Sequence, residues 1–330
     1  MIHESGILVI SLDFELHWGV RDKRRVEDYR GNLLGARTVI PRLLELFTQY
    51  DIHATWAIVG FLFFRNRCEL MRGLPTTIPQ YTDRRLSPYD DLDAIGIDEQ
   101  DDPFHYASSL ITLIASRPNQ EIGSHSFSHY YCLESGQTIE MFESDLQAAI
   151  QAAKPYGLSL DSMVFPRNQV NDDYIPVCRA NGIKAFRGRP RSWTYAARNQ
   201  EEESRWARLL RLIDAYINLS GHTCYSSAEI AAGCPCNIPG SRFVRPYSPR
   251  FRALEPLRLH RIKSDLSYAA KNKQVYHLFW HPHNFGKDID RNLAFLRSVL
   301  EHFQVLRHGY GMQSLNMRDV VAGLTQEIID

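Results

Sequence analysis

The sequence has no long apolar run and no excess of either charge. No window approaches the ~18 consecutive apolar residues that a membrane span needs. Since 38 Lys and Arg balance 38 Asp and Glu over 330 residues, we expect no nucleic-acid partner and no broad electrostatic binding to anionic lipid. The first residues lack the basic and apolar regions of a signal peptide, which predicts a cytoplasmic protein.

Cysteines are few and are not arranged in metal-binding pairs. The six are scattered, and Cys234 and Cys236 form C-x-C, without a second pair at zinc-finger spacing. We expect free thiols, as in a reducing compartment. A disulfide between Cys224 and this pair is the alternative.

Short apolar runs alternate with amphipathic stretches along the chain, without an internal repeat. Strands are predicted at GILVISLD, HATWAIVG, EIGSHS, SMVFP, KAFRG and QVYHLFW, and these runs lack polar alternation, which fits burial on both faces. Helices are predicted at ARTVIPRLLELFTQYD, TIEMFESDLQAAIQAAKPYG, LEPLRLHRIKSDLSYAAKN, IDRNLAFLRSVLEHFQ and MRDVVAGLTQEI. This alternation predicts an α/β fold with a parallel sheet covered by helices.

Two segments interrupt the alternation. Residues 74–104 are rich in Pro and Asp and lack periodicity, so a surface loop or insertion is expected. Residues 188–255 contain one predicted polar helix, near residues 200–217, and a stretch with prolines at 235, 239, 246 and 249. We interpret this segment as a second insertion.

Ionisable side chains follow the predicted strands where each strand ends. Functional groups of parallel α/β sheets and barrels gather beyond the carboxyl ends of the strands, so we expect these residues to converge. They are carboxylates, imidazoles, guanidinium groups and one amide: Asp13, Glu15 and His17; His125 and His129; Arg167 and Asn168; Arg187 and Arg189; His281 and His283.

The sequence HSFSH has the spacing of a metal site. On a helical turn, His125 and His129 would share one face, and two imidazoles with one carboxylate are a common ligand set for catalytic zinc. In an extended chain, Asp13 and Glu15 face the same side, so one acid can bind metal while the other acts as a base. Each pattern alone has an ordinary explanation in chance, capping or packing. Their joint occurrence at strand ends favours a site.

These residues resemble the polysaccharide deacetylase family, also called the NodB-homology or carbohydrate esterase family 4 group. HSFSH matches its H-[ST]-x-x-H motif residue for residue, which implies that His125 and His129 are metal ligands. SLDFE resembles the acid motif that follows the first strand. Phe14 separates two acids that are adjacent in the common form, so the resemblance implies Glu15 as the third metal ligand and Asp13 as the general base.

Two further motifs match less closely. HLFWHPHN resembles the late histidine motif, which implies His281 as the general acid, with His283 as the alternative. FPRNQ departs from the R-x-P form because its arginine is displaced by one place. By that match, Arg167 is expected to orient the base. No role is assigned to His17 or Arg187.

The resemblance implies a single NodB-like deacetylase domain over residues 1–330, a distorted (β/α) barrel of the polysaccharide deacetylase type with the two segments as loop insertions. It implies a metal-dependent hydrolase that removes an acetyl or formyl group from an amino sugar. One divalent ion is expected, zinc first, with cobalt, nickel or iron as alternatives. The expected setting is assembly of a surface polysaccharide, such as O-antigen or capsule.

Other interpretations stay open. The chain could be another C–N hydrolase on the same scaffold, such as an allantoinase-like ring amidase or a deformylase, a catalytically inactive sugar-binding homologue, or a protein that uses its histidines only for packing. A homo-oligomer is also open. Aromatic residues of the two segments are expected either to wall a sugar site or to pack locally: Tyr81, Tyr89, Trp193, Tyr195 and Trp206.

Overall fold

A nine-stranded parallel sheet forms the centre of the computed structural model, which describes residues 4–190, 210 and 212–329. Along the sheet the order is β6-β5-β4-β3-β2-β1-β8-β7, and β9 pairs with β1. The strands are Ile7–Phe14 (β1), Ala54–Ile58 (β2), Gln120–Ser124 (β3), Ser162–Val164 (β4), Ala185–Arg187 (β5), Cys236–Asn237 (β6), Arg242–Phe243 (β7), Val275–Trp280 (β8) and Gln313–Ser314 (β9).

The sheet curls so that its two end strands come close enough for a short link to connect them. Strands β6 and β7 lie at opposite ends of the order, yet only residues 238–241 separate them, a link that spans about 18 Å at most. Within this link, Ile238 N donates to Phe186 O (2.9 Å) on one side and Ser241 N donates to His277 O (2.8 Å) on the other. The expected distorted (β/α) barrel is therefore confirmed.

Helices cover the outside of the barrel and the end at which strand β1 begins. None of those described is both long and apolar enough to cross a bilayer. The helices are Val26–Tyr50 (α1), Arg67–Arg72 (α2), Ser108–Ala115 (α3), Ile139–Ala153 (α4), Ile175–Ala180 (α5), Ser227–Ala231 (α6), Glu255–Lys271 (α7), Pro282–Phe285 (α8), Ile289–Tyr310 (α9) and Met317–Ile329 (α10).

Strand β1 is buried along its whole length, and its two faces differ in what they contact. Successive side chains of a strand point to opposite faces. The even-numbered residues belong to the large core that packs against the helices: Leu8, Ile10, Leu12 and Phe14. The odd-numbered face begins with Ile7 and Val9, which pack with Met317 and Val320 of α10. It continues with Ser11 and Asp13, so the inner face changes from apolar to polar toward the carboxyl end.

Helix α1 begins at Val26, ten residues before the predicted start at Ala36. Gly31 and Gly35 interrupt the apolar periodicity of this part of the helix. Gly35 is needed for close packing. A Cβ on Gly35 would lie 1.9 Å from the carbonyl oxygen of Gly286, just after α8. Asn32 Nδ2 donates to His283 O (3.1 Å) in the same region. The early turns of α1 therefore support the loop that carries His281 and His283.

The two predicted insertions contribute buried residues and strands to the fold and are not only surface loops. Residues 74–104 form short 3-10 turns and bury Tyr81 and Leu86. Residues 188–255 contribute β6 and β7 to the sheet, although most of the predicted polar helix near 200–217 lies outside the described residues. Cys224, Cys234 and Cys236 lie in this segment as free thiols, like the other three cysteines.

Candidate functional site

A cavity of about 500 Å³ opens at the carboxyl end of the barrel strands. Its lining includes residues that follow β1, β4, β7 and β8. The sequence-predicted residues Asp13, Glu15, His129, Arg167 and His281 all contribute to its wall. Convergence of strand ends, which the sequence predicted, is therefore observed.

The carboxylate of Glu15 lies against two imidazole rings. Glu15 Oε2 is 3.2 Å from His125 Nε2 and 3.0 Å from His129 Nε2. One ligand atom from each residue can be chosen so that all three lie within 4.8 Å of one another. All three residues are buried. This arrangement could hold a metal ion.

In a neutral ring, the hydrogen bond made by Nδ1 of His125 determines which ring nitrogen keeps its lone pair. Its Nδ1 lies 2.8 Å from the carbonyl oxygen of Val164, which can only accept a hydrogen bond, so Nδ1 carries the proton. A neutral His125 then presents the lone pair of Nε2 to the carboxylate. Two lone pairs at this distance repel unless a cation lies between them, and a divalent metal ion is the cation that this donor set fits.

Electrostatics in the cluster favour an ionised Glu15 carboxylate and a neutral His129 ring. Burial alone would raise the pKa of Glu15, but the neighbouring histidines hold it well below its usual range. Burial lowers the pKa of His129 to about 4 despite the nearby Glu15 carboxylate. A metal ligand set needs a carboxylate and unprotonated imidazoles, and the environment of Glu15 and His129 meets this requirement near neutral pH.

The loop that carries the two histidines is not helical, contrary to the geometry assumed from their spacing. Residues 125–129 form an irregular turn in which Ser126 and His129 adopt left-handed backbone angles, with φ of 59° and 57°. The ring centroids lie 5.1 Å apart. Left-handed angles cost non-glycine residues roughly 1–2 kcal/mol each, so other contacts must hold this turn.

Asp145 of α4 supplies those contacts. Its carboxylate is fully buried and accepts hydrogen bonds from Phe127 N (2.7 Å), Ser128 N (3.0 Å) and Ser128 Oγ (2.5 Å). Farther along, Tyr131 N donates to the hydroxyl of Tyr81 (2.8 Å). The loop between the two imidazoles is thus fixed from outside the cavity.

Asp13 forms a buried, two-pronged ion pair with Arg187. Arg187 Nη1 lies 2.6 Å from Asp13 Oδ1, and Nη2 lies 2.7 Å from Oδ2. Burial would raise the pKa of Asp13, but the charge and hydrogen bonds of Arg187 outweigh it and lower the pKa. Sequence reasoning noted Arg187 at a strand end but gave it no role.

A chain of hydrogen bonds connects Arg187 of this ion pair, through Ser11, to His277. His277 Nδ1 donates to Ile238 O (3.1 Å), so its Nε2 accepts from the hydroxyl of Ser11 (2.8 Å). Ser11 Oγ in turn accepts from Arg187 Nη1 (2.9 Å). Burial lowers the pKa of His277 to about 3, which keeps the ring neutral for this pattern. The sequence gave no signal for His277 beyond its place in a strand.

The predicted role of Arg167 as the arginine that orients the base is not what the structure shows. Arg167 Nη2 donates to Asp22 Oδ2 (2.6 Å), and its guanidinium lies 4.1 Å from the ring centroid of Tyr131. Arg167 thus ties the loop after β1 to the loop after β4, and Arg187 holds Asp13. The arginine of FPRNQ is displaced by one place from the R-x-P form. This displacement is the sequence feature that corresponds to the pairing of Asp13 with Arg187 and not with Arg167.

His281 and His283 both approach the carboxylates but differ in access to the cavity. His281 Nε2 lies 3.6 Å from Asp13 Oδ2 and 3.7 Å from Glu15 Oε1, with a quarter of its side chain exposed. His283 Nε2 lies 3.9 Å from Glu15 Oε1, and burial lowers its pKa to about 3. His281 is therefore the histidine placed to exchange a proton with a group in the cavity.

The aromatic residues proposed as sugar-site walls have other contacts where they are described. Tyr81 packs against Tyr130 and Tyr131, and Tyr89 packs against Phe61. Neither is part of the cavity wall, where Tyr29, Phe243 and Phe279 supply the aromatic surface. The other three predicted residues lie outside the described part of the chain: Trp193, Tyr195 and Trp206.

Gly19 leaves the space that the Glu15 carboxylate occupies. A Cβ at this position would lie 1.9–2.4 Å from the carboxylate atoms of Glu15. We expect Gly19→Ala to displace the carboxylate and weaken metal binding at least tenfold, the lower end of effects seen when ligand orientation is lost. Titration against a chromophoric chelator measures this. Gly31→Ala is the control, because nothing lies within 4 Å of its added methyl group; equal metal affinity in the two variants would contradict the expectation.

Asp145→Asn tests the support of the histidine loop. An amide in place of the carboxylate turns one acceptor into a donor that faces an N–H or O–H group, at a cost of about 1–3 kcal/mol. We expect a lower melting temperature and a roughly 10- to 100-fold weaker metal affinity. Glu143→Gln, on the same helix and outside this network, should change neither. A metal affinity unchanged by Asp145→Asn would show that the loop is held by other contacts.

This chain resembles known proteins in its fold. No family model matches the sequence, and no curated protein matches it. A solved structure named a polysaccharide deacetylase, from Mycobacterium smegmatis, superimposes with a TM-score of 0.62 at 13% identity, covering 98% of this chain and 92% of the other. Another so named, from Pseudomonas aeruginosa PAO1, gives 0.59 at 11% identity, covering 98% and 92%.

A structure named Puue allantoinase also aligns, with a TM-score of 0.55 at 10% identity, covering 97% of this chain and 90% of that one. Identities this low establish the fold alone. The fold implied by the sequence motifs is therefore confirmed: the chain has the distorted barrel of the polysaccharide deacetylases.

Proposed function

We propose that this protein is a metal-dependent hydrolase that removes an N-acyl group from an amino sugar. The observation that carries the proposal is the approach of two imidazole Nε2 atoms to one oxygen of Glu15, with Asp13 and His281 beside them at a cavity. Structures named polysaccharide deacetylases share the fold. The proposed acyl group is acetyl or formyl.

Glu15, His125 and His129 are the residues that would hold the ion. A divalent cation bound there supplies Lewis-acid chemistry, since it polarises an acyl oxygen and acidifies a water molecule. Zinc suits two imidazoles and a carboxylate, and cobalt, nickel and iron accept the same ligands. The rest of the chemistry belongs to residues of the chain.

Asp13 is proposed as the general base. Although both of its oxygens accept from Arg187, each carboxylate oxygen has two lone pairs, so a proton can still be accepted on the cavity side. Arg187 fixes the carboxylate in one orientation and keeps it ionised at neutral pH through the lowered pKa. The base accepts a proton as water oxygen bonds to the acyl carbon.

His281 is proposed as the general acid. Its Nε2 faces Asp13 and Glu15, and its Nδ1 lies 3.2 Å from the side-chain amide of Asn284. From this position the ring can give a proton to the amine nitrogen as the C–N bond breaks, leaving a free amino sugar and a carboxylic acid. Each acid–base step of this kind contributes roughly 10²- to 10⁴-fold to the rate.

Ring-amide hydrolysis is the second candidate. The structure named Puue allantoinase has the same fold at a TM-score of 0.55, and hydrolysis of a cyclic amide needs the same base, acid and cation. Acyl release and ring opening are separable by assay: acetate or formate appears in the first, and a carboxylate on an opened ring in the second. A setting in surface polysaccharide assembly and a cytoplasmic location stay predictions from the sequence.

His125→Ala and Asp13→Asn separate metal binding from turnover. The first variant loses a ligand, so we expect it to lose both bound metal and acyl release. The second keeps the ligands but cannot accept a proton, so metal stays while the rate falls roughly 10²- to 10⁴-fold. Elemental analysis and acetate or formate release measure the two properties. His308→Ala, a surface histidine, is the control, and full activity of Asp13→Asn would remove Asp13 as the base.

Arg187→Gln and Arg167→Gln distinguish the two arginines. Loss of Arg187 leaves burial of Asp13 opposed only by weaker neighbours, so the pKa of Asp13 rises and the acidic limb of the kcat/KM profile moves to higher pH. Arg167→Gln leaves the Asp13 pair intact, so its acidic limb should stay in place. Thermal unfolding of both variants checks folding, since breaking a buried pair costs about 3–5 kcal/mol. A shift only in Arg167→Gln would reverse the assignment.

A further inference from the structure

Four cationic side chains outside the acid–base pair contribute to the wall of the cavity. Lys23 and Arg24 lie on the loop after β1, Arg245 lies just beyond β7, and Arg167 follows β4. The protein as a whole has a formal net charge of zero. This concentration of positive charge is therefore a local feature of the cavity.

The acids of the same wall do not pair with Arg24 or Arg245. Among the described residues, the acidic side chains of the lining are Asp13 and Glu15. Asp13 is paired with Arg187, and Glu15 faces the two imidazoles. Arg167 is paired with Asp22. No acidic side chain in the described part of the chain pairs with Arg24 or Arg245, which leaves both guanidinium groups available to a ligand.

The loop that carries Arg24 is held in place by its neighbours. His17 Nε2 donates to the carbonyl oxygen of Arg24 (2.9 Å), and His17 Nδ1 lies 2.9 Å from His105 Nε2. Arg21 pairs with Asp91 at 2.7 Å. His17 and Arg21 thus help to hold this loop, and Arg24 contributes to the cavity wall.

We infer that this wall binds an anionic group of the substrate, and that the substrate is an acylated amino sugar carrying a phosphate. The inference rests on the proposed function, which it narrows to a phosphorylated or phosphate-linked sugar. Arginine guanidinium groups match phosphate oxygens with two parallel hydrogen bonds. A cavity of about 500 Å³ is large enough for a monosaccharide with its phosphate.

The test compares charged and neutral ligands that share one sugar. N-acetylglucosamine 1-phosphate and methyl N-acetylglucosaminide are titrated by calorimetry into the metal-loaded protein and its Arg24→Gln/Arg245→Gln variant. We expect the phosphate compound to bind the parent protein at least tenfold more tightly, and the variant to lose most of that preference. Arg25→Gln is the matched control, because this exposed neighbour pairs with Asp28 outside the cavity.

Acyl release, measured separately, distinguishes the two proposals. If phosphate preference depends on the two arginines but no compound loses its acyl group, the hydrolase proposal fails and the anion site stands. If acyl release occurs without phosphate preference, or if the preference persists in the double variant, the anion site is overturned. UDP-linked and short prenyl-diphosphate-linked forms of the sugar are added to identify the source of the phosphate. The highest kcat/KM among the phosphate forms names the carrier.

Discussion

The burial of the Glu15 carboxylate beside two imidazoles is the constraint from which the rest of the site follows. An ionised carboxylate that is removed from water needs a positive charge beside it. If a metal cation is bound there, the neighbouring imidazole rings can stay neutral. Asp13, two residues earlier and within strand β1, meets the same requirement with Arg187. Strand β1 and the residue that caps the next turn therefore bury two carboxylates, one neutralised by the protein and one suited to a metal ion.

The loops around these carboxylates have strained backbone angles that other contacts stabilise. Leu16, Ser126, His129, Arg167 and Asn168 all adopt left-handed backbone angles in loops at the cavity. Such conformations persist only where surrounding contacts over-determine them. Here the contacts come from outside the cavity, with Asp145 behind the histidine loop and Asp22 against Arg167. The arrangement fixes functional atoms without filling the space that a substrate needs.

Local patterns predicted much of this architecture. Apolar runs without alternation indicated buried parallel strands, and polar residues at their ends indicated where the site lies. Patterns failed where long-range packing decides the outcome. The two-residue strands β6 and β7 exist because they complete a curled sheet, and Gly35 is helical because α1 approaches Gly286 closely. The partner of Asp13 could not be read from spacing, since Arg167, Arg187 and Arg189 all lie at the ends of adjacent strands and only the packing selects Arg187.

The division of charge in the cavity has a consequence for catalysis. The acids at the reacting centre are compensated by their own partners, so Arg24 and Arg245 are left to act on another part of the substrate. Binding energy from a non-reacting group raises kcat only when it is used to position the reacting bond. That requires a rigid anion site, and the hydrogen bond from His17 to the Arg24 backbone supplies part of this rigidity. A phosphate held by this wall would therefore orient the acyl group toward Asp13 and His281 as well as add affinity.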